Sequence, residues 1–211
     1  MSKNSSGYKV YGQIIGSGQI IGRNLIMSNR VVNEITDNKF VNLYEVTDPD
    51  NHCRGYQFAE RRGVDSVAFI CYDKKTKMFL INCEFTPPTG YFMERAFGGS
   101  LDKDGKEPID IVMEEVEEEA GYKVSKEDIE YVGKCFVSTQ MNQTCFLYLV
   151  FVSDEQKTER KPENGMERMA IPKWHNNNWI FDGEDWKAIA IIMKAVNQGF
   201  LKVVSDGISI E

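Results

Sequence analysis

The chain has 211 residues, a hydrophobic fraction of 42% and a formal net charge of −7. Its length suits one domain with a full core, or one domain with a small extension. The acidic balance argues against a nucleic-acid partner bound through a general basic surface, but it leaves an anionic small-molecule substrate open because bound divalent ions would reverse the local sign.

The first sixty residues predict a small β extension. Short β-like runs at 41–46 and 56–59 flank the turn-rich segment 48–51, and no run is long or apolar enough to make a core of its own. We expect residues 1–60 to pack on the rest of the chain or on a second subunit. Residues 61–211 should form the main domain.

The main domain predicts an α/β fold. Its elements are, in chain order, strands 64–72 and 78–83 around a turn at 73–77, a Gly-Gly turn at 97–99, a helix at 108–120, strands 129–137 and 145–152, a long polar loop at 153–167, and a helix that ends before Gly199. Pro108 suits a first helical turn, and Gly121 suits a helix end. The apolar residues at helical spacing in the last helix are Trp186, Ile189, Met193 and Val196.

The cysteines indicate a reducing compartment. All five are scattered without a Cys-x-x-Cys pair, and four of them lie in apolar strand-like runs, which is typical of reduced core residues. The first residues lack the apolar segment of a signal peptide, and no stretch reaches the roughly 18 apolar residues that a membrane span needs. We therefore expect a cytoplasmic protein with no membrane partner.

A run that starts at Glu114, Glu-Glu-Val-Glu-Glu-Glu, carries the strongest chemical signal. On a helix, about 100° per residue puts Glu115, Glu118 and Glu119 within an arc of roughly 100°. Three carboxylates this close repel one another without a cation, and their hard oxygen atoms suit Mg²⁺, or Mn²⁺ in its place, rather than zinc. Glu117 points away and should be solvated. The alternative is that the whole run is a solvated helix face.

The run resembles the Nudix box of the Nudix hydrolase superfamily. That pattern is Gly, five residues, Glu, seven residues, then Arg-Glu-U-x-Glu-Glu-x-Gly-U, in which U is aliphatic. Residues 115–122 match its second half, with Tyr122 at the last position. In the first half, the spacing from Gly99 to Glu115 is one residue longer than the pattern.

Two further departures from the box concern a pair of charges. Lys106 falls near the position of the upstream Glu, and Glu114 takes the position of the Arg. We expect a reversed ion pair between Lys106 and Glu114. The alternative is that Glu114 joins the metal site.

Beyond the box, the chain is similar to the ADP-ribose and nucleotide-sugar diphosphatase branch. Segment 62–68 resembles the approach to the first core strand of that branch, and Thr86 stands where its members often carry an Arg. The resemblance implies a Nudix α/β/α sandwich with a mixed β-sheet and an N-terminal β extension that serves dimerisation, so a homodimer is expected. It also implies Mg²⁺-dependent hydrolysis of the diphosphate in ADP-ribose or a related nucleoside diphosphate sugar, giving a nucleoside monophosphate and a sugar phosphate.

The resemblance also implies roles for individual residues. The expected metal ligands are Glu115, Glu119, Glu118 (as a ligand or as a catalytic water holder) and the carbonyl of Gly98. A general base is expected from the later loop, where Glu167 is preferred over Glu163. For the nucleotide, the candidates for stacking and for phosphate contact are Tyr56, Phe58, Arg61 and Arg62. The alternatives are core packing for the two aromatic residues and an ordinary surface position for the two arginines.

Two other functions stay open. One is a Nudix-fold binding or regulatory module that has lost catalysis, which the departures at Lys106 and Glu114 favour. The other is a Nudix hydrolase for a different diphosphate, such as a dinucleotide or a capped RNA, although the lack of a basic stripe weakens the RNA version.

Overall fold

The structure is a computed structural model that describes residues 31–61, 65–176, 178–204 and 207–209. The chain forms two compact units. Unit 1 comprises Met1–Val64 and Phe136–Gln143, and unit 2 comprises Asp65–Cys135 and Thr144–Glu211. The predicted division at residue 60, with dimerisation through the first part, stays a prediction.

The described part of unit 1 contains a three-stranded antiparallel sheet of β1 (Val31–Glu34), β2 (Val41–Asp48) and β3 (Cys53–Arg61). A short 3₁₀ turn, Pro49–Asn51, joins β2 to β3. The Asp48 carboxylate closes this turn by accepting a 2.9 Å hydrogen bond from the side chain of Asn51. The strand-like runs and the turn predicted in this region are confirmed.

Unit 2 is built on a mixed sheet, which among the described residues has seven strands. They are β4 (Ser66–Asp73), β5 (Met78–Thr86), β6 (Tyr91–Arg95), β7 (Phe97–Ser100), β8 (Ile129–Phe136), β9 (Thr144–Val152) and β10 (Ile171–His175). The order is β10-β5-β4-β9-β8, with β6 also on β5 and β7 also on β4. Strands β4 and β9 are parallel, whereas β4–β5, β5–β6, β5–β10 and β4–β7 are antiparallel.

The core under the first helix is set by strand alternation. The odd residues of β4, such as Phe69, face helix α1 (Pro108–Glu115), while Phe97 of β7 stacks on Phe69 with ring centroids 5.2 Å apart. Helix α1 contributes apolar residues to this core. Ile111 and Val112 are buried, but Ile109 is only partly buried at the edge of the cluster.

The segment that contains the glycine pair is a strand rather than the predicted turn. Residues 97–100 form β7, which pairs with β4 through Ala68 opposite Gly98. A Cβ on Gly98 would lie 2.8 Å from the carbonyl oxygen of Val67, so a glycine is needed where the two backbones approach.

The predicted polar loop at 153–167 also contains regular structure. Residues Asp154–Gln156 form a 3₁₀ turn, and Gly165–Met169 form the short helix α2. Asn164 caps α2 because its side-chain oxygen accepts hydrogen bonds from the backbone N–H groups of Met166 and Glu167, at 2.9 and 3.1 Å.

The C-terminal part of unit 2 contains two helices and a hairpin. These are α3 (Trp179–Asp182), α4 (Trp186–Asn197) and the antiparallel pair β11 (Lys202–Val204) and β12 (Gly207–Ser209). The predicted helix is confirmed, but its buried face is different. The buried residues are Ala188, Ile191, Ile192 and Ala195, whereas Trp186 and Met193 are 41% and 55% exposed.

The five cysteines are free thiols. Within the described ranges, no helix is long and apolar enough to cross a membrane.

Candidate functional site

The glutamate run leaves α-helical geometry part-way along. Helix α1 ends at Glu115, and residues Val116–Ala120 form one π turn, which ends at Gly121 with φ 78°. The backbone N–H of Tyr122 donates to the carbonyl oxygen of Val116 over 3.2 Å. The predicted helix at 108–120 is therefore present and ends at Gly121, but its last five residues have π rather than α geometry. Single π turns inside helices occur frequently at functional sites.

Glu115 lies directly against the backbone of β7. A Cβ on Gly99 would collide with Oε1 of Glu115 and would lie 2.8 Å from its Cδ, so only glycine leaves room for this carboxylate in its present position. Burial raises the pKa of Glu115 to about 7, and the charges of Glu118 and Glu167 add to the rise, while Lys103 opposes it.

Glu119 is the most enclosed carboxylate of the run, with 6% of the residue exposed. Its Oε2 is buried and has no hydrogen-bond partner among the described residues. Burial, followed by the charges of Glu115 and Glu167, raises the pKa of Glu119 to about 8, and a hydrogen bond from the backbone N–H of Gly98 opposes the rise. A buried carboxylate without a partner is costly, so this group requires a proton or a cation.

The two loop glutamates predicted as general bases belong to the same electrostatic cluster. Burial and then the charge of Glu163 raise the pKa of Glu118. Glu167 contributes to the raised pKa of Glu115 and of Glu119. The carboxylate of Glu167 accepts a hydrogen bond from the backbone N–H of Glu163 over 2.6 Å and another from the side chain of Asn164. Helix α2 thereby fixes the position of Glu167.

The sequence prediction missed Arg160, which donates hydrogen bonds to backbone carbonyls on both sides of the cluster. Its Nε donates to the carbonyl oxygen of Glu119 over 2.5 Å, its Nη2 to that of Glu167 over 3.0 Å, and its Nη1 to that of Ala170 over 2.8 Å. A Cβ on Gly121 would lie 2.9 Å from the Cγ of Arg160. The glycine that ends the glutamate run therefore also makes room for this arginine.

Two polar residues of β5 were also missed. Glu84 is among the charges that raise the pKa of Glu119. Asn82 is 1% exposed, its Nδ2 donates to Oε2 of Glu84 over 3.5 Å, and its buried Oδ1 has no partner among the described residues. Both residues alternate in phase with Leu80, which packs in the core under α1. Polar residues at alternate positions of an otherwise apolar strand could have been identified from the sequence as candidate site residues.

The outer glutamates form ion pairs. The predicted pair of Lys106 and Glu114 is present, and Lys103 also binds Glu114, over 3.0 Å. Both carboxylate oxygens of Glu114 thus contact lysines, so the structure gives no support to the alternative in which Glu114 joins the metal site. Glu117 is not simply solvated as predicted, because it is half-buried and pairs with Lys161.

The predicted nucleotide contacts lie in unit 1. Tyr56 and Phe58 line a pocket with the segment 139–142, and the hydroxyl of Tyr56 donates to the carbonyl oxygen of Thr139 over 3.1 Å. Arg61 is the exposed last residue of β3. The prediction for Arg62 lies outside the described residues.

The carboxylates suit a hard divalent cation in chemistry, although they do not form a finished coordination sphere. Within the described ranges, no group of three or more His, Cys, Asp or Glu residues meets the geometry of a metal site. The unpartnered buried Oε2 of Glu119 and the raised pKa values of Glu115 and Glu119 indicate a net demand for positive charge. The side chains of metal ligands rearrange readily when a cation binds, whereas the burial of Glu119 is fixed by the fold.

The comparisons with known proteins bear on the fold. The chain is similar to a solved structure described as an ADP compounds hydrolase, with a TM-score of 0.62 and 11% sequence identity over 83% of this chain and 96% of that one. The fold is Nudix-like. The predicted mixed α/β architecture is thereby confirmed. No family model matches the sequence, and no curated protein matches it.

Proposed function

We propose that the chain is a Mg²⁺-dependent hydrolase that cleaves the diphosphate of ADP-ribose or a related nucleoside diphosphate sugar. The observation that carries this proposal is the buried Oε2 of Glu119, which has no partner among the described residues and lies among other carboxylates whose pKa values are raised. Such a group can bind a cation. An acidic site needs a cation because its carboxylates would otherwise repel the negatively charged diphosphate. The similarity to an ADP compounds hydrolase supports the same direction.

The chain's own residues supply both the metal ligands and the general base. The residues that would hold Mg²⁺, or Mn²⁺ in its place, are Glu115, Glu119, Glu118 and the carbonyl of Gly98. The bound cation would neutralise the diphosphate and make a water molecule more acidic. Glu167, or Glu163 as the second choice, would accept the proton of that water.

The reaction breaks one P–O–P linkage. The water oxygen forms a bond to one phosphorus, the bridging oxygen leaves with the other phosphate, and the products are a nucleoside monophosphate and a sugar phosphate. The fixed position of Glu167 in the cap of α2 suits a base that must point at one water.

Nucleotide binding is proposed for unit 1. Tyr56 and Phe58 would stack on the base, while Arg61 and Arg62 would contact phosphate. The homodimer and the cytoplasmic location stay predictions from the sequence.

The test is a turnover panel. The protein is incubated with Mg²⁺ and ADP-ribose, UDP-glucose, GDP-mannose, NADH or dinucleoside polyphosphates, and phosphomonoester products are measured. We expect turnover of a nucleoside diphosphate sugar, its loss in EDTA, and a fall of at least about 100-fold in kcat for Glu119→Gln. Glu117→Gln is the matched control, because Glu117 pairs with Lys161 and should leave kcat unchanged. The proposal is contradicted if no compound is turned over and Glu119→Gln has the same product yield as the wild type.

A binding or regulatory module is the second candidate. The ion pair of Lys106 with Glu114, in place of the reverse order, and the unfinished coordination sphere favour it. Its signature would be Mg²⁺-dependent binding of ADP-ribose by calorimetry without any hydrolysis over hours.

A further inference from the structure

Arg95 is a half-buried cation without a counterion. It is the last residue of β6, and no hydrogen bond or ion pair joins its guanidinium to any described residue. A guanidinium carries five N–H donors and stays charged at every relevant pH. A partly buried one without an acceptor is unusual, because it loses water without gaining a partner.

Two independent relationships place Arg95 on the face of the sheet that carries the glutamates. Arg95 and Asn82 are directly paired in the antiparallel ladder of β6 and β5, so their side chains share a face. Asn82 and Glu84 share that face as well, and the charge of Glu84 reaches Glu119.

Alternation along the chain gives the same result. Arg95, Phe97 and Gly99 lie at every second position of the chain. Phe97 packs in the core under α1, and Gly99 lies under Glu115. Arg95 therefore stands at the edge of the glutamate site, four positions before Gly99, where β6 ends and β7 begins.

The charges around this edge are complementary to a phosphate bridged by a cation. The carboxylates of Glu115 and Glu119 require positive charge, whereas the guanidinium of Arg95, on the same face of the sheet, requires an acceptor. Arg95 satisfies neither carboxylate, since no ion pair joins it to either. An anion with several oxygen atoms satisfies both demands at once, and a planar guanidinium is the side chain best matched to phosphate oxygens.

We propose that Arg95 binds the diphosphate group of the substrate and that Asn82 orients its guanidinium. The carboxamide of Asn82 is buried, its Nδ2 is engaged by Glu84, and its Oδ1 is the unpaired acceptor directly across the ladder from Arg95. This inference rests on the proposed function, because it names a contact for the substrate of the same site. Arg95 touches the substrate, whereas Asn82 is a positioning residue.

The test measures binding separately from turnover. The affinity for ADP in Mg²⁺ is measured by calorimetry for the wild type, Arg95→Ala, Arg95→Lys and the control Arg54→Ala, which removes an exposed arginine from β3. We expect Arg95→Ala to weaken ADP binding roughly 10- to 100-fold and to raise KM more than it lowers kcat, because it removes a charged hydrogen bond to the substrate. Arg95→Lys should recover part of the affinity, and Arg54→Ala should match the wild type.

Binding of Mn²⁺ alone, followed by its paramagnetic signal, provides a readout independent of catalysis. Arg95→Ala should leave Mn²⁺ affinity unchanged within about two-fold, since arginine is not a metal ligand. Melting curves confirm that each variant folds, and if Arg95→Ala does not fold, Arg95→Gln takes its place.

For Asn82, a double-mutant cycle of Asn82→Ala with Arg95→Ala should show strong coupling in ADP affinity. Additive losses would overturn the orienting role of Asn82.

The outcomes separate this inference from the proposed function. Equal ADP affinity of Arg95→Ala and the wild type overturns the role of Arg95, even if the wild type hydrolyses a nucleotide sugar. A wild type that binds ADP through Arg95 but hydrolyses nothing supports the role of Arg95 and contradicts the proposed function. A wild type that binds no ADP in Mg²⁺ overturns the role of Arg95 as well.

Discussion

The guanidinium of Arg160 donates a hydrogen bond to the backbone carbonyl oxygen of Glu119 over 2.5 Å. The same side chain reaches the carbonyl oxygen of Glu167 over 3.0 Å. One arginine thus satisfies a carbonyl near the end of the π turn and another in helix α2. Arg160 thus joins the two elements that carry the candidate metal ligands and the candidate base through their backbone carbonyls, and it does not use the carboxylates of Glu119 and Glu167 to do so.

Replacement of Arg160 should therefore affect stability and activity together. We expect Arg160→Ala to lower the free energy of unfolding by about 2 kcal/mol or more, because three carbonyl oxygens lose a charged donor. Arg160→Lys should recover little, since an ammonium group cannot span three acceptors that a guanidinium reaches. Urea unfolding and kcat on the best substrate measure both effects. If Arg160→Ala is as stable as the wild type, Arg160 does not hold the two elements together. The control is Arg168→Ala, which removes an exposed arginine of α2.

Gly99 offers a way to move one carboxylate without removing it. In Gly99→Ala the new Cβ would collide with the end of the Glu115 side chain, which is flexible, so we expect the fold to survive and Glu115 to shift. Metal affinity should then fall about ten-fold or more, because ligand geometry is lost. Gly165→Ala is the matched control, since nothing lies within 4 Å of its Cβ position. Equal Mn²⁺ affinity in Gly99→Ala and the wild type would show that Glu115 is not a ligand.

The pair of Lys106 and Glu114 can be tested by charge exchange. Glu114→Arg would face both Lys103 and Lys106, and we expect a loss of about 1 kcal/mol in the free energy of unfolding, as is typical of partly exposed pairs. The addition of Lys106→Glu should restore part of the stability and activity, but not all, because Lys103 still repels the new arginine. If the double variant is neither more stable nor more active than Glu114→Arg alone, the reversed ion pair contributes to neither stability nor activity.

The residues that the sequence could predict share one property, which is that their partners lie nearby in the chain. The set of Glu115, Glu118 and Glu119 follows from helical spacing, and the pair of Lys106 and Glu114 follows from the resemblance to the box, in which the two positions are eight residues apart. The polar residues Asn82 and Glu84 could also have been found, because they break the apolar pattern of β5 in phase with each other.

Other features depend on contacts that no local pattern reports. Arg160 is 41 residues from Glu119, in a segment that is polar throughout, so nothing distinguishes it from a solvated arginine. The π turn at Val116–Ala120 has a sequence that suits an α-helix equally well. The face of Arg95 required the register of β6 on β5, which spacing does not determine.

The raised pKa values of Glu115 and Glu119, about 7 and about 8, make the stability of the metal-free protein depend on pH. An unfolded glutamate titrates near pH ~4.3. Above that pH the folded state binds more protons at these two groups than the unfolded state does. Their contribution to stability is therefore fully present below pH ~4.3 and is lost as the pH rises to about 8. His175 acts in the opposite direction, because burial lowers its pKa.

Unfolding by urea in EDTA, at several values between about pH 5.5 and pH 8.5, measures this decline. The variant Glu119→Gln isolates the glutamate contribution from that of His175, since it removes one raised group and should flatten the decline. Addition of Mg²⁺ should also flatten it, because a cation takes the place of the protons. Stability in EDTA that stays constant or increases toward pH 8, with Glu119→Gln showing the same profile, would mean that these carboxylates are solvated and that the site has no demand for a cation.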